Sequence, residues 1–455
     1  MSIKEVVQED YKLANDVLER NYYRIFRDPA LCHNKGLEII LLGSCTANCE
    51  YCYWKQYTKD LYPWAVYDEN KIIENFRLIL QWYKANDFKC EIEIFSGQWL
   101  DKPFCQGIFD VIYEEFKDYY YKPDFVCPDN MQFLKSPEAV QRFQNNKARL
   151  DSVGIPFTIS CSIDGLECEY GRTPNDDEFY NFLIDFSKQY HMALHPMISS
   201  HNAKDWIKNH KWFVENFTEE QINGMTMLEV RDGTWDDDSI EDLIRFCDYL
   251  SDWQFERLNY DKRKMLQFIL KYYPTKCSEE DNALSSYNPL TFNFMGIPTG
   301  VESPSCTFTK LLMIRALDLA LVPCHRQSYD ELIYGKFQVD DNKITGLNPH
   351  NLAYMIASTH LKRGCLPKCE NCYLSEICTG FCFGASYEDF KNPYVPQQQV
   401  CRMYKAKFHF LIYKYYSLGI FDLLDTDPFF EALSNGAQGK WIKDIINEVV
   451  NTYEK

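Results

Sequence analysis

The stretch GSCTANCEYCYW, Gly43 to Trp54, puts Cys45, Cys49 and Cys52 inside eight positions, directly after the apolar run LEIILLG that begins at Leu37. A short apolar run closed by glycine reads as a buried strand, so the cysteines occupy the loop at its C-terminal end. Similar runs recur downstream as CEIEIFSG from Cys90, PDFVC from Pro123, IPFTISCSIDG from Ile155, MALHPMISS from Met192 and MTMLEVRDG from Met225. Between them lie NKIIENFRLILQWYKAND, PFCQGIFDVIYEEFKDYY and SPEAVQRFQNNKARLDSV, with apolar residues at helical spacing.

Alternating strands and helices predict an α/β fold with a parallel sheet and right-handed crossovers. Six such units between residues 37 and 255 predict a partial (βα)6, TIM-like barrel rather than a closed eight-unit one. In such a barrel the chemistry sits at the C-terminal ends of the strands. Three motifs fall there: the cysteine loop, Ser96-Gly97-Gln98 after the second strand, and Ser162-Ile163-Asp164-Gly165 after the fourth.

With 455 residues, 46% of them hydrophobic and 16% aromatic, the chain can bury one large core and a smaller second one. A formal charge of −18 sets up a field that repels phosphate backbones, and basic residues are scattered, which argues against nucleic acid. The start, MSIKEVVQEDYKLANDVLERNYY, is charged and helical in pattern, with no signal-peptide core, and no later run is apolar enough to span a bilayer. A cytoplasmic protein is expected. In that reducing setting nineteen cysteines cannot be a disulfide framework. Eight stand alone and read as small buried hydrophobes: Cys32, Cys90, Cys105, Cys127, Cys161, Cys168, Cys247 and Cys277. The other eleven form two groups, the opening three and eight between Cys306 and Cys401, five of them within CLPKCENCYLSEICTGFC.

Structural zinc takes four ligands in two short pairs, and the opening loop has no fourth cysteine or histidine close by. An iron-sulfur cluster matches better, because each thiolate can hold one iron and three thiolates leave one iron open. At this point the chain resembles the radical S-adenosylmethionine enzymes, which carry cysteine, three residues, cysteine, two residues, cysteine after the first barrel strand. The resemblance implies a 4Fe-4S cluster whose open iron is chelated by S-adenosylmethionine, and a 5′-deoxyadenosyl radical as the hydrogen-abstracting agent. It places Tyr51 beside the adenine. It maps a Gly-Gly-Glu-Pro-like turn onto Ser96, Gly97 and Gln98, where the glutamate and proline are lost, and it assigns Ser162 and Arg172 to the ribose and carboxylate of the cofactor.

The second cysteine group resembles the SPASM extension of these enzymes, with inner spacings of two, five and three residues. By resemblance Cys369, Cys372, Cys378 and Cys401 hold one auxiliary 4Fe-4S cluster, and Cys306, Cys324 and Cys382 hold another. Cys365 is extra: a fourth ligand, a competitor of Cys369 or a spare thiol. Leu319 stands where the family has a glycine, five residues before Cys324. A zinc ribbon is the bland alternative for these pairs. The expected organisation is an N-terminal helical segment at 1–36, the barrel at 37–255, a bridge at 256–300, the SPASM domain at 301–405 and a C-terminal helical segment at 406–455.

Enzymes with this domain pair act on peptides or proteins. The resemblance therefore implies a maturase that installs an oxidative thioether or carbon-carbon crosslink in a ribosomally made precursor peptide. It also implies a reducing partner such as flavodoxin or ferredoxin and, since residues 1–36 are too few for a leader-recognition domain, a separate leader-binding protein or a barrel-mouth contact. A sulfatase-maturase-like enzyme making formylglycine is the alternative. That subgroup has a carboxylate base where this chain has His325, an imidazole able to act near neutral pH. From another class, an iron-sulfur carrier or scaffold is the reading against which the open iron argues.

Overall fold

The computed structural model describes the chain except for residues 1, 30–35, 42–44, 46, 54–67, 96, 169–171, 173–175, 271–289, 291–311, 361–365, 376, 379, 437–439 and 454–455. Of the residues singled out above, Cys32, Ser96, Cys277, Cys306 and Cys365 lie outside the described ones. The chain divides into two compact units, one of residues 1–163, 170–193 and 307–360, the other of residues 164–169, 194–306 and 361–455.

In the first unit, Gly36–Ile40 (β1) is buried along its whole length, because parallel partners flank it on both sides. On one side it pairs with Glu91–Phe95 (β2), followed by Phe125–Asp129 (β3) and Phe157–Cys161 (β4), all parallel. Ala193–Leu194 (β5) ends the row next to β4. Helices Glu69–Ala85, Cys105–Phe116 and Pro137–Asp151 form the crossovers. Their starts are set by local chemistry: Asp68 accepts from the Lys71 N–H at 3.1 Å, and Ser136 caps a helix whose first residue is Pro137. The expected fifth strand is in fact two short pieces. His195-Pro196 separates β5 from Met197–Ile198 (β6), which pairs with Leu228–Glu229 (β7) in a sheet of its own within the second unit. Among the described residues the sheet is open, so the barrel is partial, as expected.

The other flank of β1 is made by a segment from far along the chain. Leu312–Arg315 (β8) runs parallel to β1, then Ala320–Val322 (β9), Gly335–Asp340 (β10) and Lys343–Pro349 (β11) continue antiparallel. The β8–β9 turn is pinned by Asn75, whose amide donates to the carbonyls of Ala316 at 2.7 Å and Leu317 at 3.1 Å. Arg315 is buried and forks onto Asp318 at 2.6 and 2.8 Å.

Leu319 sits in that turn with φ of 55°, the left-handed region that explains why glycine suits this position. A side chain there costs about 1–2 kcal/mol. Leu319 is also buried, which offsets the strain by roughly 1.5–3 kcal/mol. Alanine would keep the strain and lose the burial. Leu319→Ala is therefore expected to unfold more easily than Leu319→Gly, by about 1 kcal/mol, reversing the usual order of these two residues; chemical denaturation of both variants measures it.

In the second unit, Gly165 has φ of 97°, and a Cβ there would lie 2.3 Å from Asn209 Oδ1. Asn209 donates to the Asp164 carbonyl at 2.6 Å, and Asp164 Oδ1 accepts from the Met197 N–H at 3.0 Å. The long helices Asp237–Arg257 and Gln398–Ser417 pack together, with Lys414 bridging Asp248 at 2.5 Å and Asp252 at 2.6 Å. Deeper in, Lys407 meets Glu229 at 2.5 Å, both about one-twentieth exposed. Burial is the largest single influence on the Lys407 ammonium and acts downward, but the charges of Glu229, Tyr404 and Cys247 and the Glu229 hydrogen bond together outweigh it and raise the group above its ordinary range. Removing one partner strands the other charge. Lys407→Met is expected to lose about 3–5 kcal/mol of stability in denaturant melts, and Lys407→Met with Glu229→Leu to recover most of it.

Candidate functional site

The opening loop leaves β1 at its C-terminal end. Cys45 Sγ accepts from the Ala47 N–H and from the Asn130 amide, each at 3.4 Å, and the Cys52 N–H donates to the Cys49 carbonyl at 3.2 Å. Asn130 follows the last residue of β3, so a strand end two strands away holds the loop. Burial pushes the Cys45 thiol up to about 11; the Ala47 N–H opposes this, the charges of Cys52 and Asp129 add to it, and Arg172 opposes it. Such a thiol is protonated at neutral pH, and a metal that binds it must displace the proton.

Tyr51 and Arg172, distant in sequence, come together: Arg172 Nη1 donates to the Tyr51 hydroxyl at 3.2 Å, with the guanidinium carbon 5.9 Å from the ring centre. Gln132 fixes Arg172 by donating to its carbonyl at 3.0 Å. Ser162 is buried and donates its backbone N–H to the Asp129 carbonyl at 2.8 Å, which locks the ends of β3 and β4 together. Gln98, beside Gly97, is buried and donates to Asp101 Oδ2 at 2.9 Å.

Several groups about this face carry no motif. Asp129 ends β3, is buried, and accepts from the Met131 N–H at 2.7 Å; burial, only partly opposed by that bond and reinforced by Asp101, pushes its carboxyl up to about 7. His325 stacks on Phe95 at 4.4 Å and on Tyr53 at 5.7 Å, and its Nδ1 lies 3.1 Å from Glu38 Oε1. Glu38 pairs directly with Glu93 across the β1–β2 ladder. Burial, then the charge of Glu38, raises the Glu93 carboxyl well above its ordinary range. The available signal for Glu38 was its charge inside LEIILL, a strand otherwise apolar. The signal for Asp129 was a carboxylate at a strand end.

In the second unit Cys369, Cys372, Cys378 and Cys401 line one cavity of about 380 Å³, with Leu374, Phe381 and Tyr404 among its walls. That is about a dozen waters' worth of space. Burial first, then the charges of Cys378, Cys369 and Cys372, push the Cys401 thiol up to about 11. The Gly380 N–H donates to Cys378 Sγ at 3.2 Å, a bond that favours thiolate. Among the described residues no three such groups converge on a single ion position; these four thiols surround a space instead. Four mutually interacting thiols around an apolar cavity fit a polynuclear cluster. Cys382 caps helix Phe383–Phe390, accepting from the Ala385 N–H at 3.5 Å, while Cys324 is buried in the first unit. Cys90, Cys105, Cys127, Cys161, Cys168 and Cys247 are buried, as small hydrophobes should be.

No family model matches the chain, and no curated protein matches it. Solved structures do. An anaerobic sulfatase maturase, anSMEcpe, crystallised with bound AdoMet, aligns over 84% of this chain and 98% of its own at 13% identity and a TM-score of 0.53. The same enzyme with AdoMet and the Cp18Cys peptide gives 14% identity and a TM-score of 0.52 over 84% and 98%. Streptococcus suis SuiB bound to S-adenosylmethionine aligns at 14% identity, 88% and 81% coverage, and a TM-score of 0.47. The chain thus has the fold of the radical S-adenosylmethionine/SPASM enzymes, the one its cysteine motifs resemble. No helix among the described residues is long and apolar enough to cross a membrane.

If the four-thiol cavity holds a 4Fe-4S cluster, Cys401→Ala is expected to lower the iron of anaerobically reconstituted protein by up to about four atoms per chain. Cys247→Ala, outside either group, should leave iron unchanged. Iron and sulfide assays on both variants provide the check.

Proposed function

We propose that this protein is a radical S-adenosylmethionine enzyme that oxidatively modifies a ribosomally made peptide, forming a thioether or carbon-carbon crosslink. The observation that carries the reading is the Cys45, Cys49, Cys52 loop at the C-terminal end of β1, within a fold shared with an AdoMet-binding maturase.

When bound, S-adenosylmethionine and the clusters supply the one-electron chemistry: hydrogen abstraction from the substrate and a destination for its remaining electron. Cys45, Cys49 and Cys52 hold the first cluster, and Asn130 fixes Cys45 at its sulfur. Cys369, Cys372, Cys378 and Cys401 hold an auxiliary cluster, and Cys306, Cys324 and Cys382 are the expected ligands of the remaining one. Arg172 offers a fork of donors suited to the cofactor carboxylate, set beside Tyr51, the ring expected at the adenine. Gly97, with Ser96, lies at the turn expected to meet the cofactor's amino group, and Ser162 is a donor for the ribose.

His325 has the protein's side of the proton chemistry. With its Nδ1–H donated to Glu38, the imidazole is fixed as the tautomer whose Nε2 accepts, and Phe95 and Tyr53 hold the ring plane. An oxidative crosslink must release protons as well as electrons from the peptide, and Nε2 is the acceptor this chain provides.

The same dyad favours a second reading, formylglycine formation. A buried carboxylate does stand beside the residue after Cys324, carried by β1 rather than by that position itself. Either reaction needs a low-potential reductant such as flavodoxin or ferredoxin and a reducing compartment such as the cytoplasm. A separate protein that presents the precursor's leader completes the crosslinking reading.

Anaerobic reconstitution with S-adenosylmethionine and dithionite is expected to yield 5′-deoxyadenosine, and a co-expressed precursor peptide to lose two hydrogens and gain a crosslinked fragmentation pattern. A peptide aldehyde captured by a hydrazide would establish the formylglycine reading instead. Fully loaded protein that forms no 5′-deoxyadenosine would leave an iron-sulfur scaffold.

A further inference from the structure

The turn after β2 offers Gln98 where the resemblance places a glutamate, and the Gln98 amide is tied to Asp101 at 2.9 Å. The carboxylate of that turn is missing from this chain, whatever its backbone still offers the cofactor's amino group. Another has no assigned role. Asp129, at the C-terminal end of β3, is 2% exposed, and while its Oδ1 accepts from the Met131 N–H at 2.7 Å, its Oδ2 has no hydrogen-bond partner among the described residues. Asp101 differs: its Oδ2 accepts from Gln98 and lies 3.4 Å from the Lys102 ammonium, while its Oδ1 is buried with no hydrogen bond among the described residues.

Burying a carboxylate oxygen with no donor is costly unless a cation completes the site. Residue order supports a cofactor as the source of that cation. Asn130 donates to Cys45 Sγ, and the Asp129 carbonyl accepts from Ser162, so Asp129 lies between a cluster ligand and the expected ribose contact.

We infer that Asp129 seats the ammonium group of the S-adenosylmethionine methionine moiety and supplies the carboxylate that this chain lacks at Gln98. The inference rests on reading Cys45, Cys49 and Cys52 as the S-adenosylmethionine loop. An ammonium presents an N–H donor to the open Oδ2 and neutralises the buried charge of Asp129, whereas a ribose hydroxyl would do only the first.

The test is equilibrium binding to the reconstituted protein of S-adenosylmethionine and of its desamino analogue, for wild type and Asp129→Asn, together with melting of the cluster-free proteins. Asp129→Asn is expected to weaken S-adenosylmethionine about tenfold or more, to leave the desamino analogue's affinity within about twofold, and to melt at or above the wild-type temperature, since an unpaired buried charge has gone. Unchanged S-adenosylmethionine affinity, or equal losses for both ligands, would overturn the assignment. So would a lower melting temperature of the cluster-free variant, which would make Asp129 a structural residue of the loop. Affinity that follows the choice of sodium or potassium and ignores the substitution would place an inorganic cation there and overturn it too. Wild type that carries its clusters and binds no S-adenosylmethionine would refute the parent reading, an outcome distinct from all of these.

Discussion

The first unit depends on β1 being paired on both sides. Leu37, Glu38, Ile39 and Ile40 each have a partner on β2 and another on β8, so the strand has neither an open edge nor freedom to slip. A one-residue shift would exchange its faces and move Glu38 away from His325. Because the strand cannot shift, the loop that follows begins at a fixed place, and three thiols can be presented to a rigid neighbour, Asn130, without a scaffold of their own.

Both units bury charge, and they satisfy it differently. In the second, Lys407 and Glu229 answer each other directly, and the cation is also flanked by the rings of Tyr404 and Phe408 at 5.0 and 5.1 Å. In the first, Arg315 is answered in full by Asp318, Asp330 and the Ser328 carbonyl, on the hairpin side of the sheet. The acids about the strand ends are different. Glu38, Glu93, Asp101 and Asp129 are answered partly by each other's neighbours and by the imidazole of His325. A protein interior tolerates incomplete polar pairing mainly where a ligand or a reaction makes use of it.

What was legible in the sequence was what is local. The thiol spacings of Cys45–Cys52 and Cys369–Cys382 lie within a few residues, and the strands and crossover helices announce themselves by apolar period and cap residues such as Asp68 and Ser136. MALHPMISS reads as one strand by composition, but Pro196 has no N–H to give a ladder and the run breaks around it. The roles of Glu38, Asp129 and Asn130 were not legible because each depends on register or on a strand-end contact between distant segments. Nothing in LEIILL says that Glu93 will lie opposite Glu38. Leu319 was legible as a departure and became intelligible only with its backbone angle, where burial and conformational strain act in opposite directions.

The origin of β8 has a consequence for how the protein is made. Residues 307–360 complete the sheet begun by residue 36, so every ladder bond between β1 and β8 closes a loop of most of the chain. Until the ribosome has released Leu312–Arg315, β1 is an edge strand whose apolar residues flank one charge and whose backbone groups on that side are unpaired, the kind of surface that recruits other strands. The cysteine loop hangs from that edge. Synthesis therefore leaves the first ligand set attached to an unfinished sheet for most of translation, which favours cluster insertion after the chain is complete and makes the C-terminal part of the sequence a guard of the N-terminal site.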